Sequence, residues 1–141
     1  MEKAPPQSPP SDTLGLVGES AYMRELRQEI HTMAGGDFPV LIQGDSGTGK
    51  ELVAAALHNC SGRGRRQLVT VNCAAIPKHL EESEFFGHTK GAFTGADRAK
   101  DGLVSLADKS TLFLDEIGET SPDVQSKLLR VLDSGEFIPV G

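Results

Sequence analysis

Seven consecutive residues, Gly44-Asp45-Ser46-Gly47-Thr48-Gly49-Lys50, place three glycines ahead of a lysine. Glycines let successive backbone N–H groups curl around phosphate oxygens, and a helix starting at the lysine adds favourable partial charge for an anion. Lys50 can then reach the terminal phosphates as a point charge. The usual pattern ends in Ser or Thr, whose hydroxyl touches Mg²⁺; here that position is Glu51. Taken without its surroundings the stretch is equally a Gly-rich turn. A strand before it and a helix after it are the context the phosphate reading requires.

A second candidate lies at Leu112-Phe113-Leu114-Asp115-Glu116, an apolar run leading straight into two carboxylates. An acid at the C-terminal end of a strand occupies the edge where ligands bind in open α/β sheets. Asp115 can hold the water shell of a Mg²⁺ ion, and Glu116 can orient or deprotonate an attacking water. The bland alternative is a solvated strand end. The third stretch, Gly91-Ala92-Phe93-Thr94-Gly95-Ala96, carries no catalytic group beyond one hydroxyl. Its glycines read as hinges and Phe93 as an apolar anchor, or as a ring tucked into the core beneath a loop.

The elements that must position these residues follow from periodicity and punctuation. Ser20 can cap a helix with apolar residues at Met23, Leu26, Ile30 and Met33, closed by Gly35-Gly36. Residues 38–42 form a short continuous apolar run of the kind that makes a buried parallel strand, and residues 51–57 are Ala-rich and helical. Residues 68–71 and 111–114 read as two further strands, and residues 77–86 as a short helix. Residues 103–107 are ambiguous. Ser121-Pro122 has cap and first-turn chemistry for a helix with a stripe at Val124, Leu128, Val131 and Leu132, ended by Ser134-Gly135. Strands alternating with helices predict an α/β layered fold with a parallel sheet. Residues 1–13, with four prolines, read as a linker or frayed tail ahead of a folded region at 14–141.

Taken together, GDSGTGKE, GAFTGA and TLFLDEIGE resemble the NtrC-like bacterial enhancer-binding proteins, the AAA+ ATPases that activate sigma-54 RNA polymerase. The resemblance runs over residues 14–141 and includes Val71-Asn72-Cys73-Ala74-Ala75 and QSKLLRVL at 125–132. It implies a three-layer αβα P-loop NTPase (AAA+) fold that binds ATP and Mg²⁺. The family's phosphate loop likewise reads GKE, so the metal leans on Asp115, phosphate oxygens and water. Asn72 matches the residue that pairs with the catalytic glutamate, and Leu16-Val17-Gly18 the segment near adenine. Phe93 and Thr94, within residues 91–96, inherit contact with sigma-54. The resemblance further implies a hexameric or heptameric ring that remodels the sigma-54 RNA polymerase holoenzyme, with a neighbour supplying the arginine finger.

The family's sensor strand, arginine finger, helical lid and helix-turn-helix DNA-binding domain fall outside these 141 residues. The chain is therefore expected to be a partial AAA+ module without a DNA-binding domain. The run at 38–42 would lack its inner strand neighbour, with marginal stability and no measurable turnover as consequences. A nucleotide-responsive binding or inhibitory fragment stands as the alternative, and an unrelated P-loop NTPase as a third reading that GAFTGA argues against. Against the family pattern, Thr89 stands where Glu is common, Val104-Ser105 replace Phe-Glu, and Lys109-Ser110 replace Gly-Gly.

Composition bounds the remaining classes. The net charge of −6 argues against a chain that grips nucleic acid through a basic face. No apolar run approaches the about 20 residues that span a bilayer, and the N-terminus has no apolar signal region. Two cysteines make no disulfide framework, which suits a reducing cytoplasm. His31, His58, His79 and His88 lack metal-ligand spacing with Cys60 and Cys73. Arg63, Arg65 and Arg66 make a solvated basic loop.

Overall fold

A computed structural model describes residues 14–45 and 47–141; residues 1–13, read above as a linker, and Ser46 of the phosphate loop lie outside the described residues. The chain divides into two compact units, one ending at Gly64 and the other spanning Arg65–Gly141.

The first unit is a pair of helices. Helix α1 (Ala21–Ala34) begins where Ser20 Oγ accepts the Met23 N–H at 3.2 Å, a cap worth about 1 kcal/mol. Helix α2 (Lys50–Cys60) starts directly after the glycine loop. The apolar stripes of the two meet around buried Leu16, Ile30 and Ala56, with Met23, Leu26, Val53 and Leu57 packed against them. Residues 38–42, expected as a strand, form none. Phe38 and Leu41 are exposed, and no ladder partner for this run occurs among the described residues. Apolar character alone does not make a strand: its backbone N–H and C=O groups need a neighbour to bond.

The second unit holds a parallel pair, β1 (Val69–Asn72) and β2 (Leu112–Asp115), each shifted one residue towards the C-terminus of its expected span. Val71 is buried while Thr70 and Asn72 are exposed, the alternation of a strand with one face in the core. A short 3-10 turn at Lys78–Leu80 leads into α3 (Glu81–Phe86), so the single helix expected at 77–86 has two parts. Phe85 and Phe86 on α3 are fully buried and anchor the core with Val71, Cys73, Val124 and Leu128. The ambiguous stretch after residue 102 is one helical turn, α4 (Leu103–Leu106).

Helix α5 (Pro122–Ser134) is capped by Ser121 and ended by Gly135 in the left-handed region, as the sequence predicts. Its stripe is narrower than expected. Val124, Leu128 and Val131 face the core, but Leu132 is 56% exposed. Spacings of four and three keep the first three on one face, and Leu132 lies one residue further round.

The segment between α3 and α4 is closed at its base. His88 and Lys100 exchange two backbone hydrogen bonds of 2.9 Å, and Gly87 and Thr89 both bond Val140. Gly87 is required here: its φ is 77°, and a Cβ would lie 2.4 Å from the Lys100 carbonyl oxygen.

Candidate functional site

In the first unit the phosphate loop is a tight backbone turn. Thr48 returns both its N–H (3.2 Å) and its hydroxyl (2.6 Å) to the Asp45 carbonyl. Gly47 and Gly49 have φ of 79° and 90°, a region in which a side chain would be strained. Gly49 occupies the N-cap of α2 without any side-chain cap, so the first N–H groups of the helix are available to an anion. Lys50 is half-buried as the first residue of α2 and has no ion-pair partner among the described residues. Glu51 is exposed. Gly44 and Asp45 are exposed at the loop's entry.

The segment at 16–18 is fixed by a residue that sequence reasoning passed over. The Arg27 guanidinium donates to the carbonyl oxygens of Leu16, at 3.1 Å, and of Gly18. Leu16 is buried in the helix-pair core, whereas Val17 is 94% exposed. Only Val17 of the three therefore offers a free apolar side chain to a ligand. A lone Arg on the polar side of an amphipathic stripe carries no local sign of such a role.

In the second unit the β1–β2 register pairs Asn72 with Asp115, at the ends of both strands. Parallel strands put both C-termini at one edge, so the two residues reach the same edge together. Asp115 is half-buried and Glu116 exposed. Glu116 has φ 55° and ψ 46°, a left-handed conformation that costs a non-glycine residue about 1–2 kcal/mol. Strain of this sort clusters at functional sites. The pairing of Asn72 with Glu116 that the family resemblance implies is not made in this structure. Asn72 Oδ1 accepts the Ala74 N–H at 3.1 Å, capping the 3-10 turn at Cys73–Ala75. The turn leaves an N–H without an intrahelical acceptor, and the nearest side-chain oxygen takes it.

Cys73 beside this edge is a packing residue. Burial first, and then the Asp115 carboxylate, push its thiol up to about 11, which keeps it protonated and inert. Cys60 and Cys73 are both free thiols, and the described residues contain no cluster of His, Cys, Asp or Glu able to hold a metal by itself. Asp115 offers a single carboxylate at the strand edge, which suits a hard cation such as Mg²⁺ that keeps most of its hydration shell.

The 91–96 stretch is a compact turn. The Gly91 N–H bonds the Ala96 carbonyl at 2.8 Å, and the Ala96 N–H bonds the Phe93 carbonyl at 3.0 Å. Ala96 is buried, Ala92 half-buried, and Thr94 and Gly95 exposed at the tip. Phe93 is not in the core: it is 39% exposed, with its ring edge-on to His88. Lys109, one of the departures expected above, adopts φ 59°.

A glycine turn that opens a helix in the first unit, and a parallel strand pair that ends in two acids in the second, are features of P-loop NTPase-type α/β proteins, although the strand expected before the turn is not formed. The chain belongs to the family described as the sigma-54 interaction domain, whose model matches residues 16–141. It is 56% identical over 126 residues to the transcriptional regulator VasH of Vibrio cholerae, covering 89% of this chain and 24% of that protein. It is 57% identical over 127 residues to the regulatory protein ZraR of Salmonella typhimurium, covering 90% and 29%. A crystal structure of NtrX from Brucella abortus in complex with ATP superposes with a TM-score of 0.78 at 40% identity, covering 89% of this chain and 26% of that one. The fold is that of the AAA+ P-loop NTPases. The chain spans about a quarter of the length of the relatives it matches. No described helix is long and apolar enough to cross a membrane.

Proposed function

We propose that this chain is the nucleotide-binding and sigma-54-contacting part of a cytoplasmic transcriptional activator. The observation that carries the reading is the family match over residues 16–141, which takes in the phosphate loop, the acid pair and the 91–96 turn. Residues 44–50 bind the phosphates of ATP, with Glu51 beside them. Their N–H groups and the Lys50 ammonium neutralise charge, and Val17, flanked by Leu16 and Gly18, lies against the base. Asp115 holds Mg²⁺, which when bound supplies charge stabilisation to the transferring phosphoryl group. Glu116 orients and deprotonates water, and Asn72 lies next to it at the strand edge. Residues 91–96 present Phe93 and Thr94 to sigma-54. A hexameric or heptameric ring of complete protomers would couple ATP hydrolysis to remodelling of the sigma-54 RNA polymerase holoenzyme.

The test is capture of sigma-54 by an assembled ring of a complete relative carrying residues 16–141 of this chain, in the presence of a transition-state nucleotide analogue. Thr94→Ala is expected to lose capture while keeping ATP affinity. Equal capture by both proteins refutes the reading. The unpaired run at 38–42 favours a second reading for the 141-residue chain by itself, namely nucleotide binding without turnover. Steady ATP hydrolysis by the purified chain rules that second reading out.

A further inference from the structure

His88 belongs to neither the phosphate loop nor the acid pair, and its spacing suggests no metal. The structure nonetheless gives its side chain three partners. Nδ1 lies 2.6 Å from Oγ of the buried Ser83 on α3, and Nε2 lies 2.9 Å from the carbonyl oxygen of Arg98. The ring meets Phe93 edge-on, with centroids 4.8 Å apart and planes at 68°. A carbonyl oxygen only accepts, so Nε2 carries a proton, and in the neutral ring Nδ1 accepts from the Ser83 hydroxyl. The His88 backbone meanwhile pairs with Lys100 through two hydrogen bonds. One residue thus joins α3, the returning limb of the segment between α3 and α4, and the aromatic ring at its turn.

The geometry points to His88 as the positioning residue of the 91–96 turn. It holds Phe93 in a single pose at the base of the turn, so that Phe93 and Thr94 meet sigma-54 already ordered. This rests on the reading of residues 91–96 as the sigma-54-contacting segment. Edge-to-face is the arrangement in which an electropositive ring edge meets a π-face, and it fixes direction as well as distance. Gly91 and Gly95, with φ of 78° and 94°, and the Gly91–Ala96 and Ala96–Phe93 hydrogen bonds hold the backbone of the turn but leave the direction of the Phe93 ring free. Without the His88 ring, the loop would have to lose that freedom when its partner binds, and affinity falls by the cost of ordering it.

The experiment uses this chain for spectroscopy and a complete relative carrying its residues 16–141 for binding. In the wild-type chain, NMR should show Overhauser contacts between the His88 and Phe93 rings, whose centroids lie 4.8 Å apart, and His88→Ala should move the Phe93 ring resonances. In the assembled ring, His88→Ala should lower sigma-54 affinity about tenfold, and Ser83→Ala about threefold, the scale of losing one or two net hydrogen bonds. His88→Gln, which can still donate to the Arg98 carbonyl, should recover part of the loss. ATP affinity should stay within about twofold throughout, because none of these residues is in the phosphate loop. An unmoved Phe93 resonance, or full capture by His88→Ala, overturns the proposal. If His88→Ala loses its cooperative thermal transition, Ser83→Ala decides, and unchanged capture by that variant overturns it. If Thr94→Ala loses capture while His88→Ala does not, the positioning role alone falls. If both capture as wild type does, the sigma-54 reading falls with it.

Discussion

Asn72 and Asp115 are register partners on the last rung of the β1–β2 ladder. Side chains alternate along a strand, so a slip of one residue would move every side chain of a strand to its opposite face. The register is held by the core: Val71 is buried, and Val69, Leu112 and Leu114 pack against the same cluster. The packing of ordinary aliphatic residues thus decides that an amide and a carboxylate reach one edge together. Glu116 then turns away from the strand in a left-handed conformation, and Cys73, next to Asn72, is sealed from solvent.

Lys50→Ala is expected to weaken ATP binding by about ten- to a hundredfold, the equivalent of losing a charge-assisted interaction of about 1.5–3 kcal/mol. Titration of the purified chain with ATP measures this directly. Unchanged affinity would mean that the glycine turn at 44–50 is only a connection into α2.

Glu116 carries two separable effects. Glu116→Gln should keep nucleotide binding and abolish hydrolysis in a complete relative carrying this region, whereas Asp115→Asn should also weaken Mg²⁺-dependent binding. Glu116→Gly should abolish hydrolysis and yet raise the thermal midpoint, because relief of the left-handed strain is worth about 1 kcal/mol. A Gly variant less stable than the Gln variant would show that the strain argument is wrong.

Lys109→Gly should stabilise the chain by about 0.5–1 kcal/mol, the left-handed cost removed less the entropy that glycine adds to the unfolded chain. Neighbouring Ser110 should be left in place, since its hydroxyl bonds the Gln67 carbonyl at 2.6 Å. Paired thermal or urea unfolding curves test this, and a destabilised Lys109→Gly contradicts it.

Glu81 is buried, yet its carboxyl titrates below the ordinary value of 4.5. Burial by itself would raise it, but the Ser121 N–H at 3.0 Å, the Ser121 hydroxyl and the Lys78 ammonium at 3.2 Å together favour the ionised form more strongly. A folded-state value below the unfolded one gives stability that is complete above pH 4.5 and is lost as the pH falls through the folded value. The stability gap between wild type and Glu81→Gln should therefore be constant near neutrality and narrow in acid below that value. A gap that widens in acid would reverse the sign assigned to this group.

The features that the sequence determines by itself are local ones. Ser20 and Ser121 cap helices because a side-chain oxygen two or three residues from a free N–H needs no tertiary help. Gly47 and Gly49 make the tight turn before α2 because only glycine enters that backbone region freely. The acid pair after an apolar run, and the glycine-flanked turn at residues 91–96, are legible for the same reason.

What only the tertiary structure decided depends on partners distant along the chain. Residues 38–42 have the composition of a strand, but a strand is made by its neighbour, and composition names none. Leu132 belongs to a helical stripe by spacing, and only the width of the core it faces leaves it outside. Asn72 Oδ1 takes the Ala74 N–H, a bond that exists only because the chain turns straight after β1. His88 is the sharpest case: its three partners lie on three different segments, and no spacing pattern brings Ser83, Arg98 and Phe93 onto one ring. Backbone preferences act over three or four residues, whereas ladder partners and ring contacts are selected by burial across the whole unit.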